Sequence, residues 1–138
     1  MTVALDTNVI QAILQPHHVF HHQALQTLET LRSGGFCISA PVYVESLAIP
    51  KLSRAALDEF LAEVGISVDW ALPEEVWVQA GMARIVHLER RRTQRNTEPK
   101  RLLVDFLIGS HALSRGFGLI TFDPSGYRVA FPALKLLP

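Results

Sequence analysis

Short β-favouring runs alternate with helix-patterned segments along nearly the whole chain, and two of those runs stop on an aspartate. Thr2-Val3-Ala4-Leu5 ends at Asp6, and Leu119-Ile120-Thr121-Phe122 ends at Asp123. Between them, Phe36-Cys37-Ile38-Ser39 and Ile66-Ser67-Val68-Asp69 read as two more strands, and Leu134 to Leu137 as a short edge strand. The intervening segments carry the helical period. From His18 to Arg32 apolar residues recur at Phe20, Ala24, Leu25, Leu28 and Leu31, and Ser33-Gly34-Gly35 closes the segment. Pro41 suits the first turn of a helix that continues from Val42 to Ile49 until Pro50 interrupts it. Ser53 caps Arg54 to Val64, which Gly65 ends. A longer helix follows from Pro73 to about Arg91, with Val76, Ala80, Ala83 and Val86 on one stripe, and another from Leu102 to Arg115, closed by Gly116. Thr7-Asn8-Val9-Ile10 reads as a turn entering a helix, and Arg90 to Arg101 as a polar loop.

Such alternation predicts an α/β fold: a mainly parallel sheet of four to five strands, helices on both faces, and ligands beyond the carboxyl ends of the strands. Asp6 and Asp123 stand at those ends. The length of 138 residues suits one domain, 1–138, with a single core. With 49% apolar and 19% charged residues, the chain is expected to fold by itself. Its single cysteine, Cys37, excludes an internal disulfide and suits a reducing compartment. No stretch approaches the roughly 20 apolar residues of a membrane span, so the expectation is a soluble, cytoplasmic protein without a membrane partner.

Net charge is zero, which argues against a surface that grips a polyanion everywhere. The charges are nevertheless segregated. Arg90, Arg91, Arg92, Arg95, Lys100 and Arg101 lie in one stretch, and Asp58, Glu59, Glu63, Asp69, Glu74 and Glu75 in another. The basic stretch suits a phosphate backbone such as that of RNA, because such backbones are bound mainly by lysine and arginine and because the stretch leads into the helix bearing Asp105. The alternative is an ordinary solvated loop.

Four acids have apolar neighbours: Leu5-Asp6-Thr7, Val44-Glu45-Ser46, Val104-Asp105-Phe106 and Phe122-Asp123-Pro124. Carboxylates in such settings lose hydration and need a compensating partner. If the four converge, repulsion and desolvation raise their pKa values, and a hard divalent cation relieves both. Oxygen-only ligation favours magnesium or manganese over zinc. A cation so held supports in-line displacement at phosphate. Glu45 and Asp105 are each expected near a helix start, whose partial positive charge favours an anion. Each acid alone reads equally well as a helix cap or exposed charge; all four in one alternating fold do not.

These residues resemble those of the PIN-domain nucleases. The likeness lies in Leu5-Asp6-Thr7-Asn8-Val9-Ile10, in Glu45 within Pro41-Val42-Tyr43-Val44-Glu45, in Asp105 within Leu103-Val104-Asp105-Phe106-Leu107-Ile108, and in Thr121-Phe122-Asp123. It spans essentially the whole chain. It implies a three-layer α/β/α fold and a magnesium- or manganese-dependent endoribonuclease. In that case Asp6, Glu45, Asp105 and Asp123 are the catalytic metal site, and Asn8 and Thr121 support it. Many members of this length are toxins of bacterial toxin–antitoxin pairs of the virulence-associated-protein C type, held inactive by a small antitoxin and often homodimeric. The chain departs from many members at Phe122 and in its arginine-rich loop, which leaves substrate choice open. The competing reading is a catalytically silent PIN-like module that binds RNA or protein.

Other features point elsewhere less strongly. Trp70, Trp77 and Tyr127 could stack on bases, though we place Trp77 in the core. His17, His18, His21 and His22 have zinc-like spacing but no completing ligand, so they read as an exposed helix start. His111 reads as structural or at the rim of the site, and Gly109 as a point of close helix packing. An aspartyl-phosphate phosphatase needs a second aspartate two residues after the first, where this chain has Asn8.

Overall fold

The computed structural model describes residues 1–94 and 99–138. Five strands, β1 (Val3–Leu5), β2 (Phe36–Ser39), β3 (Ile66–Asp69), β4 (Gly118–Ile120) and β5 (Leu136–Leu137), form one sheet in the order β3-β2-β1-β4-β5. Every pairing is parallel. The helices are α1 (Thr7–Leu14), α2 (His21–Leu31), α3 (Ala40–Ser46), α4 (Arg54–Val64), α5 (Glu74–Thr93), α6 (Leu103–Arg115) and α7 (Pro124–Ala130).

β1, β2 and β4 are buried along their whole length, as a parallel sheet covered on both faces requires. Leu5, Ile38, Leu119 and Ile120 from the strands pack with Ile10, Leu57 and Ile108 from the helices, all at 1–2% exposure or less. The chain lays strands outward from β1 to β3, then returns to place β4 on the other side of β1. The order therefore reverses between β1 and β4, and a crevice opens there beyond their carboxyl ends.

Boundaries at β2, β3 and α4 coincide with the sequence reading, because the punctuation is chemical: the Ser53 hydroxyl accepts the Ala56 amide at 3.1 Å, and Gly65 takes a left-handed φ of 81°. Elsewhere the structure differs. α2 begins at His21 rather than His18, because the Phe20 amide bonds back to the His18 ring at 3.0 Å. The Phe20 ring leaves the helical stripe and stacks on Phe122, 4.5 Å away. α3 ends at Ser46 rather than Ile49, α5 continues through Thr93, and β4 stops at Ile120. α7, a seven-residue helix, was not expected at all.

Trp77 is not core. It is 50% exposed, and its ring nitrogen donates to the Leu72 carbonyl at 3.0 Å. The buried stripe of α5 is Val76, Ala80 and His87, and Trp77 and Val86 each sit one residue, about 100° of helix, away from it. Gly109 does mark close packing: a β-carbon there would lie 2.4 Å from the Phe131 ring. Among the described residues no helix is long and apolar enough to cross a membrane.

Candidate active site

Asp6 leaves the end of β1 buried, at 6% exposure, and caps α1. Its Oδ1 accepts the Thr7 amide at 2.7 Å, and its Oδ2 accepts the Thr121 hydroxyl at 2.7 Å and the Tyr127 hydroxyl at 3.0 Å. Thr121, the first residue beyond β4, also accepts the Asp123 amide at 3.0 Å and the Asn8 side-chain amide at 3.3 Å. Asn8 Oδ1 in turn accepts the Phe122 amide at 3.2 Å. These bonds tie the end of β1 to the end of β4 across the switch point.

Glu45 comes from the far end of α3 and accepts the Thr7 hydroxyl. It is the sixth of seven helical residues, so the helix-start field argued for it from sequence is absent. Asp105 does lie in the first turn of α6, where that field applies. Asp123 stands just before α7 without a side-chain capping bond, and accepts Arg101 Nη1 at 2.8 Å and the Ser125 hydroxyl at 3.3 Å. One cavity of about 190 Å³ is lined by Asp6, Glu45, Asp105 and Asp123, with Arg101 and Tyr127 in its wall.

Burial pushes the Asp6 carboxyl above its ordinary value; hydrogen bonds from Thr121, Thr7 and Tyr127 oppose this, and the charge of Asp105 adds to it. Asp105 is also raised, first by burial and then by Glu45 and Asp123, against a backbone hydrogen bond from Leu102 and the charge of Arg101. Tyr127 is driven far up by burial and by the surrounding acids, so its phenol stays a donor.

The donor set fits a hard divalent cation. It is all oxygen, its charges repel one another, and at about 30 Å³ per water the cavity admits roughly six water-sized groups. Among the described residues, no three His, Cys, Asp or Glu side chains form a ready-made metal cage. The acids line one space without closing on each other.

Of the basic residues singled out by sequence, Arg101 alone is in the cavity wall among those described. Arg90, Arg91 and Arg92 lie in the last turn of α5, not in a loop. Arg101 follows close by, its backbone amide donating to buried His87 Nε2 at 3.1 Å. Lys100 is exposed next to it, and Arg95 lies outside the described residues. His111 is away from the cavity, buried at 1% exposure with its ring 2.9 Å from Asp69 Oδ2. Asp69 is held below its ordinary value: burial raises it, but His111, the Ala71 amide and Arg115 outweigh that. Tyr127 was read as a possible base-stacking ring, and its hydroxyl contact with Asp6 was missed. The signal was its spacing, one helical turn after Asp123.

The model of the PIN domain matches residues 3–132. The chain belongs to the PIN-domain family. No match was found among curated protein sequences. Among solved structures, VapBC2 from Rickettsia felis, bound to a DNA fragment from its promoter, shares 24% identity at a TM-score of 0.71, with 99% of this chain and 98% of that one covered. FitAcB from Neisseria gonorrhoeae shares 19% identity at a TM-score of 0.67, covering 100% and 97% of the two chains. VapC20 from Mycobacterium tuberculosis, a toxin that cleaves the sarcin–ricin loop, shares 18% identity at a TM-score of 0.66, with 99% of each chain covered. These likenesses show a common PIN fold over the full length of this chain.

Proposed function

We propose that this PIN domain is a magnesium- or manganese-dependent endoribonuclease, the toxin of a toxin–antitoxin pair. The observation that carries the reading is the convergence of Asp6, Glu45, Asp105 and Asp123, from four separate segments, on one cavity at the switch point. Such an arrangement is electrostatically unfavourable unless a cation uses it; the Asp6 and Asp105 carboxyls are raised above their ordinary values, first by burial and in smaller part by the neighbouring acids.

Asp6, Glu45, Asp105 and Asp123 would hold the cation. When bound, it supplies Lewis acidity at the phosphate and makes water a stronger nucleophile at neutral pH. Thr121, Tyr127 and the Thr7 amide aim the Asp6 oxygens, and Thr7 also orients Glu45. Asn8 braces Thr121 and the Phe122 backbone. In hydrolysis, water adds to phosphorus as the bond to the leaving ribose oxygen breaks. The basic last turn of α5 and the exposed Lys100 suit the flanking RNA phosphates.

Partners are proposed on two grounds. Solved neighbours of this fold include VapBC and FitAB assemblies. In addition, α5 leaves Trp77, Val78, Met82 and Ile85 at 50–60% exposure, an apolar surface suited to an antitoxin or a second copy of the chain.

The purified chain is expected to cut mixed RNA with manganese and not with EDTA. Asp6→Asn and Asp105→Asn are expected to abolish cutting while circular dichroism stays native. RNA bound but never cut, with any divalent cation, would favour the silent-module reading.

A further inference from the structure

Arg101 is built into the cavity in a way that a phosphate-steering surface cation is not. Its side chain is only 19% exposed. Its backbone amide is fixed on buried His87, Nη1 reaches Asp123 at 2.8 Å, and Nη2 donates to the Ser125 hydroxyl at 3.2 Å. The guanidinium lies over Gly126, where a β-carbon would stand 2.6 Å from Cζ and 2.7 Å from Nε. Gly126 is not among the glycines with positive φ, so no backbone requirement explains it. A glycine within a helix costs about 0.5–1 kcal/mol relative to alanine. What the structure shows it providing is room for the arginine.

The guanidinium is also incompletely satisfied, since Nε is buried with no hydrogen-bond partner among the described residues. A simple surface ion pair does not account for this. Asp123 is 58% exposed, and such pairs are worth about 0–1 kcal/mol, whereas a buried unpaired donor costs about 1–3 kcal/mol. The arrangement makes sense for a group that faces a second anion during function. Once the acids engage a cation, Asp123 no longer needs Arg101, and the planar fork matches the two non-bridging oxygens of a phosphodiester.

We propose that Arg101 is a catalytic residue that contacts the phosphodiester being cleaved and rests on Asp123 while no phosphate is present. This rests on the nuclease reading. Preorganised cations directed at developing charge typically contribute about 100- to 1,000-fold to rate.

Arg101→Gln, Arg101→Lys and Gly126→Ala are to be compared with the unaltered chain at saturating RNA and manganese. The expected result is a kcat lowered about 100-fold or more by Arg101→Gln, with less than a tenth of it recovered in Arg101→Lys, which keeps the charge but loses the fork. Gly126→Ala is expected to lower kcat while the protein still melts cooperatively. A second measurement needs no cleavage. In Asp105→Asn protein with EDTA, adding Arg101→Gln is expected to weaken single-stranded RNA binding by anisotropy about tenfold and to reduce the salt slope by about one. A kcat within threefold of the unaltered chain in Arg101→Gln overturns the Arg101 assignment and leaves the nuclease reading standing. Absence of manganese-dependent cutting by the unaltered chain overturns the nuclease reading and the catalytic role together. RNA affinity unchanged by Arg101→Gln overturns the phosphate contact in either case.

Discussion

Replacing Tyr127 with phenylalanine removes one of three hydrogen bonds to a buried carboxylate and leaves the ring. Asp6 Oδ2 then keeps Thr121 at 2.7 Å, and Oδ1 keeps the Thr7 amide at 2.7 Å. A hydrogen bond to a charged group is worth about 1.5–3 kcal/mol, and the cavity lets water replace part of it. A net loss of about 1–2 kcal/mol corresponds to roughly 5- to 30-fold, close to the range of about 10- to 100-fold seen when groups orienting a metal ligand are removed. The direction with pH follows from the carboxylate. The Tyr127 hydroxyl lowers the Asp6 pKa against the larger effect of burial, so its removal raises that pKa further. Asp6 then ionises only at higher pH. Isothermal titration with manganese is expected to show weaker binding for Tyr127→Phe, with a larger deficit at pH 6 than at pH 8 and an acid limb of cleavage displaced upward. An equal deficit at both pH values refutes the argument, because it shows that the hydroxyl does not act through Asp6 ionisation.

Asp105→Asn is expected to raise the melting temperature of the metal-free protein by a few degrees while abolishing cleavage, because it removes a charge that burial, Glu45 and Asp123 all disfavour; a lowered melting temperature counts against that balance. With folded-state values above the ordinary 3.8, Asp6 and Asp105 contribute stability that is fully present below about that pH and is lost as pH rises through the raised values. A pH series of melts in EDTA is expected to show this loss, manganese is expected to reverse it, and a pH-independent manganese effect would contradict the assignment. Neutralising Arg90, Arg91 and Arg92 together is expected to weaken RNA binding and flatten its salt dependence by up to about two in slope, checked by anisotropy across a salt series. Gly109→Ala is expected to destabilise by about 1–3 kcal/mol from overpacking, less the gain of up to about 1 kcal/mol in helix propensity, with Phe131→Leu restoring part of the loss in denaturant melts.

What could be read from sequence divides along physical lines. Strand ends and caps were legible at Ser53, Gly65 and Gly116 because a hydroxyl or a left-handed φ acts locally. Asp6 and Asp123 were legible as positions because each follows a short β-favouring run. The face of α5 was legible only in part. Val76 and Ala80 are buried and Ala83 packs against the core, but Val86, read on the same stripe, is exposed and His87 is buried beside it, because Val78, Met82 and Ile85 make the other side nearly as apolar. α7 escaped because it is only seven residues long and opens on Pro124, Ser125 and Gly126, which carry little helical signal. Its Gly126 is explained by a side chain 25 positions earlier, a non-local reason with no local signature. The same holds for Tyr127, whose partner Asp6 is 121 residues away.

The site's economy of charge follows from these non-local contacts. Four carboxylates share one cavity, yet among the described residues no three form a metal cage, and Arg101 occupies part of the field they create. Three devices keep this tolerable: burial shifts Asp6 and Asp105 toward their neutral forms, hydroxyls hold the Asp6 oxygens, and a guanidinium compensates Asp123. On the proposed reading, a divalent ion among these oxygens would relieve the strain better than any of them, and it would bind the acids in their charged forms. Affinity for the cation and instability without it are therefore two measures of one quantity. A variant that calms the empty cavity, such as Asp105→Asn, has to bind manganese less well. One that gained stability without losing affinity would separate the two and show that the acids' strain is not what the cation relieves.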